Sequence, residues 1–167
     1  MTAIVPATSE GILYIEKTVS ERPTLWFYIP YKDSSGLQAE FILKDINETP
    51  IYKTTFPLKS TPGLINVSPG KGHELKFGQQ YRWVFSVICN SDNRSGDATV
   101  NGWLQRVDRV DILNIDPAKV SDKERLNFYT KNLLWFDVLN TLVDLNSTYP
   151  EISEYKIPGS HCSKKSV

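Results

Sequence analysis

One run near the middle of the chain restricts its fold more than any other. Leu75-Lys76-Phe77-Gly78-Gln79-Gln80-Tyr81-Arg82-Trp83 has the form Leu-x-x-Gly-x-x-Tyr-x-Trp. Gly78 can take the positive φ of a tight corner. Tyr81 would then enter a strand with its hydroxyl folded back onto backbone near Leu75–Gly78. From Tyr81 the alternation places Trp83, Phe85 and Val87 on one face and Arg82, Val84 and Ser86 on the other.

That arrangement is the tyrosine corner of immunoglobulin-like sandwiches, and the neighbouring sequence agrees with it. Thr24–Ile29 is aromatic and β-branched, and Pro23 and Pro30 fix its ends, because proline is poorly tolerated inside a sheet. Ala39–Asp45 alternates Phe41 and Leu43 against Glu40, Ile42 and Lys44. Ile51–Phe56 returns from it after Asn47-Glu48. Short runs at Ile12–Ile15 and Gly63–Val67, then Tyr81–Cys89 and Thr99–Val107, complete the series. The pattern predicts an immunoglobulin-like antiparallel β-sandwich of about seven strands over 1–112. The tryptophans, Trp26, Trp83, Trp103 and Trp135, read mostly as core. Alternation still sends some strand aromatics outward.

The character changes after residue 112. Ser121 followed by Glu124 is a capping box. Leu126 with Phe128 or Tyr129 starts an apolar stripe, and Asn132 breaks it. A second helix is expected from about Leu134 to Leu145, with Val138, Leu139, Leu142, Val143 and Leu145 facing inward. Residues 113–150 thus read as a short α-helical hairpin packed on the sandwich, with Trp135, Phe136 and Leu139 docking it. Residues 151–167 read as a poorly ordered polar tail.

Nineteen basic residues balance nineteen acidic ones, so nothing argues for nucleic acid or an anionic membrane. No apolar stretch is long enough to span a bilayer, and no signal peptide opens the chain. Taken alone, this implies a cytoplasmic protein. Cys89 reads as a small buried hydrophobe and Cys162 as exposed in the tail; the spacing allows a bond between them without demanding it.

Candidate sites are few. His73 sits in a Gly-rich turn and His161 beside Cys162, neither with evident metal partners. Asp92, Asn93, Arg94 and Asp97 form a polar cluster between two strands. Its first reading is structural, with short side chains capping the turn and Gly96 relieving φ. Its second is a partner or ligand loop at Asp92, Arg94 and Asp97, and a hydrolase using Asp92 or Asp97 is a distant third. On the structural reading, loss of Gly96 or Asp97 should cost more than loss of Arg94. Asn-x-Ser/Thr tripeptides at Asn47, Asn66, Asn93 and Asn146 matter only in a glycosylating pathway. No nucleophile, acid–base pair, cofactor motif or metal set appears. The expectation is a non-enzymatic interaction module with an unknown protein partner and no cofactor. The alternative is a carbohydrate-binding module using exposed strand aromatics. Gly78, Tyr81, Trp83, Gly96, Trp103 and Trp135 are assigned structural roles.

Arg22-Pro23-Thr24-Leu25-Trp26-Phe27-Tyr28-Ile29-Pro30 resembles the R-P-T-x-W-F-Y-x-P strand of a cyanobacterial family named only "domain of unknown function 928". Ala39-Glu40-Phe41, Tyr52–Phe56, Thr61–Leu64, Tyr81–Trp83, Arg94–Asp97, Gly102–Val107 and Leu134–Asp137 resemble it too, in order, from about residue 3 to residue 150. The resemblance implies a periplasmic, envelope-associated or secreted protein, because relatives usually carry a leader. It implies no known catalytic residues, and it implies a tetratricopeptide-like hairpin suited to protein contacts. Leu133 stands where relatives usually have glycine, and the tail after Pro150 does not match the further helix they carry.

Overall fold

The computed structural model describes residues 1–6, 14–32, 36–108 and 119–148. The proposed tail and the stretch 109–118 lie outside them, as do Ile12, Leu13, His161 and Cys162. The strands are β1 (Thr2–Ala3), β2 (Ile15–Thr18), β3 (Leu25–Ile29), β4 (Gln38–Lys44), β5 (Pro50–Pro57), β6 (Gly63–Val67), β7 (Gln80–Ile88) and β8 (Ala98–Arg106). Helices α1 (Asp122–Lys131) and α2 (Trp135–Thr148) follow. The strands form two sheets, one in the order β1-β3-β6 and one in the order β2-β8-β7-β4-β5. One pairing departs from the antiparallel expectation. β2 runs parallel to β8, from Ile15 opposite Trp103 to Thr18 opposite Arg106.

The inner faces follow from the alternation. Leu25, Phe27 and Ile29 point into the core from the small sheet, and Ala39, Phe41, Leu43, Tyr81, Trp83, Phe85 and Val87 from the large one. Phe27 joins the two sheets. Its ring stacks on Phe85 at 4.0 Å and meets Trp83 edge-on at 5.7 Å, contacts worth about 0.5–1.5 kcal/mol each beyond the area buried. Trp83 fits because residue 102, opposite it on β8, is glycine. A Cβ there would lie 2.4 Å from the indole. Trp103, read as core, lies instead on the other face of β8 and is only half-buried. Its neighbour Leu104 takes the inner position.

At the corner, Gly78 has φ +72°. The Tyr81 hydroxyl accepts a hydrogen bond from the Lys76 backbone N–H at 2.9 Å and donates to Gln79 Oε1 at 3.2 Å. This is the upstream backbone contact that the motif predicts.

Both halves of the Ser121–Glu124 capping box are formed. Helix α1 ends at Asn132 in a Schellman closure. Leu133 N–H reaches Thr130 O at 3.2 Å and Leu134 N–H reaches Tyr129 O at 3.0 Å. Leu133 therefore sits at the position where glycine is preferred, with φ +55°, and its side chain is 66% exposed. Helix α2 is tied to the strands by polar bonds as well as by packing. Phe136 enters the core. Trp135 Nε1 donates to Ile4 O at 2.8 Å, Val19 N–H to Asp137 Oδ2 at 3.2 Å, and Trp26 Nε1 to Asn140 Oδ1 at 2.8 Å. The face that α2 buries is only partly the expected aliphatic one: Val138 packs against Val19, Tyr129 and Leu134, and Leu139, Val143 and Leu145 are half-buried. Leu142 is 44% exposed, while Asp137 and Thr141 are buried. Asp137 and Asn140 partner backbone groups at strand ends, Val19 N–H and Thr24 O, which need them, while Thr141 donates to Asp137 O of its own helix.

Candidate functional site

The Asp92–Asp97 segment is the cluster that the sequence singles out. Residues Arg94–Gly96 form a single 3-10 turn, and Asn93 caps it by accepting from Ser95 N–H at 3.1 Å. Gly96 is therefore helical and supplies no left-handed backbone, so its expected role is corrected. Asp92 is exposed, with its N–H held by Asn90 Oδ1 at 2.9 Å. Arg94 and Asp97 belong to a network that reaches across the sheet. The Arg94 guanidinium pairs with Asp97 and, at 3.0 Å, with Glu40 of β4. Lys53 of β5 takes the other Glu40 oxygen at 2.8 Å. Glu40 is only 7% exposed. Burial by itself would raise its carboxyl, but hydrogen bonds and charge from Arg94 and Lys53 outweigh that and hold it below the usual carboxylate range. The arginine's partner lies 54 residues away, so sequence spacing could not reveal it. With its arginine committed to carboxylates, this segment ties the β7–β8 connection to the sheet.

The sheet edges differ in a way that bears on binding. β5 ends the large sheet with proline at both termini, Pro50 and Pro57, and Lys53 at its centre. Proline and lysine are common protection against pairing with foreign strands. β6 ends the small sheet as Gly63-Leu64-Ile65-Asn66-Val67, without a charge or a proline. No hydrogen bond from the described residues reaches its outer edge. Leu64 stands 60% exposed on the outer face, opposite Tyr28.

Along the same outer face a cleft of about 540 Å³ opens between β3, β6 and α2. Arg22, Thr24, Trp26, Asn66, Arg125 and Asn140 are among its walls. Trp26 is half-buried and its N–H is committed to Asn140. The helix thus covers part of the aromatic face that alternation turns outward.

Cys89, read as a small hydrophobe, is buried as expected but is disulfide-bonded. No described helix is long and apolar enough to cross a membrane. No curated protein and no solved structure matches the chain. A family model described as Domain of Unknown Function (DUF928) matches residues 1–157, and the chain belongs to that family.

Proposed function

We propose that this domain is a non-enzymatic interaction module of the bacterial envelope that takes an extended segment of a partner protein along β6. The observation that carries the reading is the contrast between the two edges. β5 is defended by Pro50, Lys53 and Pro57, whereas β6 is a five-residue strand without charge or proline, its outer edge unpaired among the described residues. Strand addition uses such an edge: main-chain hydrogen bonds supply affinity, and alternate side chains supply specificity. Here Leu64 and Asn66 would contact alternate residues of the incoming strand. An immunoglobulin-like sandwich belongs to the same reading, supported by the corner at Tyr81 and the two facing sheets. The envelope location is supported by the disulfide at Cys89, since such bonds persist in oxidising compartments.

The test is site-specific photocrosslinking in the native host, with the probe at Leu64 on β6 or at Thr54 on β5. A discrete adduct at Leu64 alone, lost when Ile65→Pro is added, is the expected result. Equal labelling at both edges, or none at Leu64, refutes strand addition.

A second reading, saccharide binding, draws on the cleft beside Trp26, where polar groups surround a half-buried indole. Discrete glycan-array hits that disappear in Trp26→Ala would favour it.

A further inference from the structure

Arg22 differs from the other arginines among the described residues. Arg82 holds Glu48 and Asn101, and Arg94 holds Glu40 and Asp97. Arg106 holds Glu21 and the Leu75 carbonyl, and Arg125 holds Asp122. The Arg22 side chain has no hydrogen bond or ion pair with any described residue. Its Nε is shut off from solvent without a partner, while its two terminal nitrogens still reach solvent. The backbone beneath it is fixed by local bonds. Ser20 N–H donates to Thr18 Oγ1 at 3.1 Å, Arg22 N–H donates to Ser20 Oγ at 3.2 Å, and Pro23 restricts the next φ.

Arg22 is a wall of the 540 Å³ cleft beside Trp26, whose volume lies in the usual range of small-ligand sites, about 300–1,000 Å³. The other charges in the described walls are engaged. Arg125 pairs with Asp122 at 2.9 Å, Asp137 accepts from Val19 N–H, and Asp144 is not free. Glu74 senses the Arg22 charge without contact and is not one of the walls. The uncommitted charge of the cleft is therefore the Arg22 cation. The groups around it suit a ring and its hydroxyls. Asn66 presents an exposed amide, and the Ser20 hydroxyl, which accepts from Arg22 N–H, keeps its own proton to give. The Trp26 N–H is already given to Asn140, so the indole offers its apolar ring to a ligand.

We propose that this cleft binds an acidic saccharide, with the carboxylate of a hexuronic acid at the Arg22 guanidinium and the sugar ring against Trp26. The inference rests on the saccharide reading of the cleft and not on strand addition at β6. Charge complementarity decides the class of ligand. Arginine's planar fork meets a carboxylate in two parallel charge-assisted bonds. A neutral sugar would leave the cation without a counter-charge, and a bare anion would leave the indole and the Asn66 amide unused.

The experiment is calorimetric titration with trisaccharides of galacturonate, mannuronate and glucuronate, each beside its methyl ester. Esterification removes the charge and keeps the ring. Saturable binding of at least one acid is expected, and it should be about tenfold or more weaker for the ester and for Arg22→Gln. Acetate alone should bind far more weakly than the trisaccharide. Leu64→Lys should bind as wild type does, which separates the cleft from the β6 edge. Four results would overturn the proposal: no saturable binding of any acid, equal affinity for acid and ester, acetate binding as tight as the trisaccharide's, or undiminished binding by folded Arg22→Gln. Neutral glycans that bind wild type and Arg22→Gln alike would leave the saccharide reading standing and overturn this one. If Arg22→Gln does not fold, the comparison of acid and ester on the wild-type protein decides alone.

Discussion

Glu16 and Glu40 are both buried glutamates of the large sheet, and their surroundings could hardly differ more. Glu40 is gripped from two sides, by Arg94 and Lys53. Glu16 is 5% exposed, and its Oε2 has no partner. The same side chain is therefore held below its ordinary pKa at one site and raised to about 7 at the other. At Glu40 burial serves the fold, by anchoring the β7–β8 connection. At Glu16 burial works against the fold.

The sharpest way to break the contrast is Glu16→Gln. Between the ordinary value of 4.5 and about 7, the folded chain keeps a proton that the unfolded chain has lost. Wild-type stability should therefore fall as pH rises through that window and be unaffected by this group below it. Glutamine removes the slope. Urea melts at about pH 4 and pH 8 should show the variant gaining on wild type by up to about 3 kcal/mol across the window. An unchanged difference would mean that Glu16 is solvated.

Arg94→Ala attacks the other member. It should cost about 1–2 kcal/mol at neutral pH, discounted for an arginine whose side chain is 43% exposed. Glu40 has a lowered pKa, so the bond's contribution is present above 4.5 and is lost as pH falls through the folded-state value. The cost should shrink accordingly in acid. This ranks Arg94 above Gly96, reversing the order the sequence suggests. Gly96→Val in a 3-10 turn should cost under about 1 kcal/mol, and thermal melts of the pair decide the order.

Leu133→Gly tests the strain at the α1–α2 turn. Glycine relieves the left-handed penalty, and the Schellman closure should gain about 0.5–1 kcal/mol. A loss of stability would show that Leu133 packs better than its exposure suggests. Lys53→Ala completes the series with the smallest effect, under about 1 kcal/mol. The side chain is 58% exposed, and Arg94 still holds Glu40 after its removal. A larger loss would mean that the network is cooperative.

Much of the strand order was legible in the sequence, because it is written locally. Pro23 and Pro30 bracket β3, a two-residue period marks β7, and Gly78 with Tyr81 marks the corner that enters β7. Ser121 and Glu124 likewise announced α1. What escaped depends on neighbours distant in the chain. β2 was expected near Ile12–Ile15 but runs Ile15–Thr18. Glu16 and Lys17 look solvent-facing, and only the fold reveals that one of them is buried. The same holds for Arg94 with Glu40, and for α2, whose Asp137 and Asn140 partner backbone groups at strand ends. The strained residue was half visible, since Leu133 occupies the place where glycine is usual. Its exposure was not.

The parallel pairing of β2 with β8 also fixes an order of events during synthesis. β3, β4, β5, β6 and β7 can find their partners among themselves as they emerge. β2 cannot, because its strand neighbour among the described residues is β8, the last described strand made. The segment carrying Glu16 must therefore wait, with its charge in water, until Ala98–Arg106 has left the ribosome. Helix α2 closes over it later still. A nascent chain stopped just before Ala98 would present β7 as a long apolar open edge. Translational stalling in that stretch is where this protein would be most exposed to aggregation.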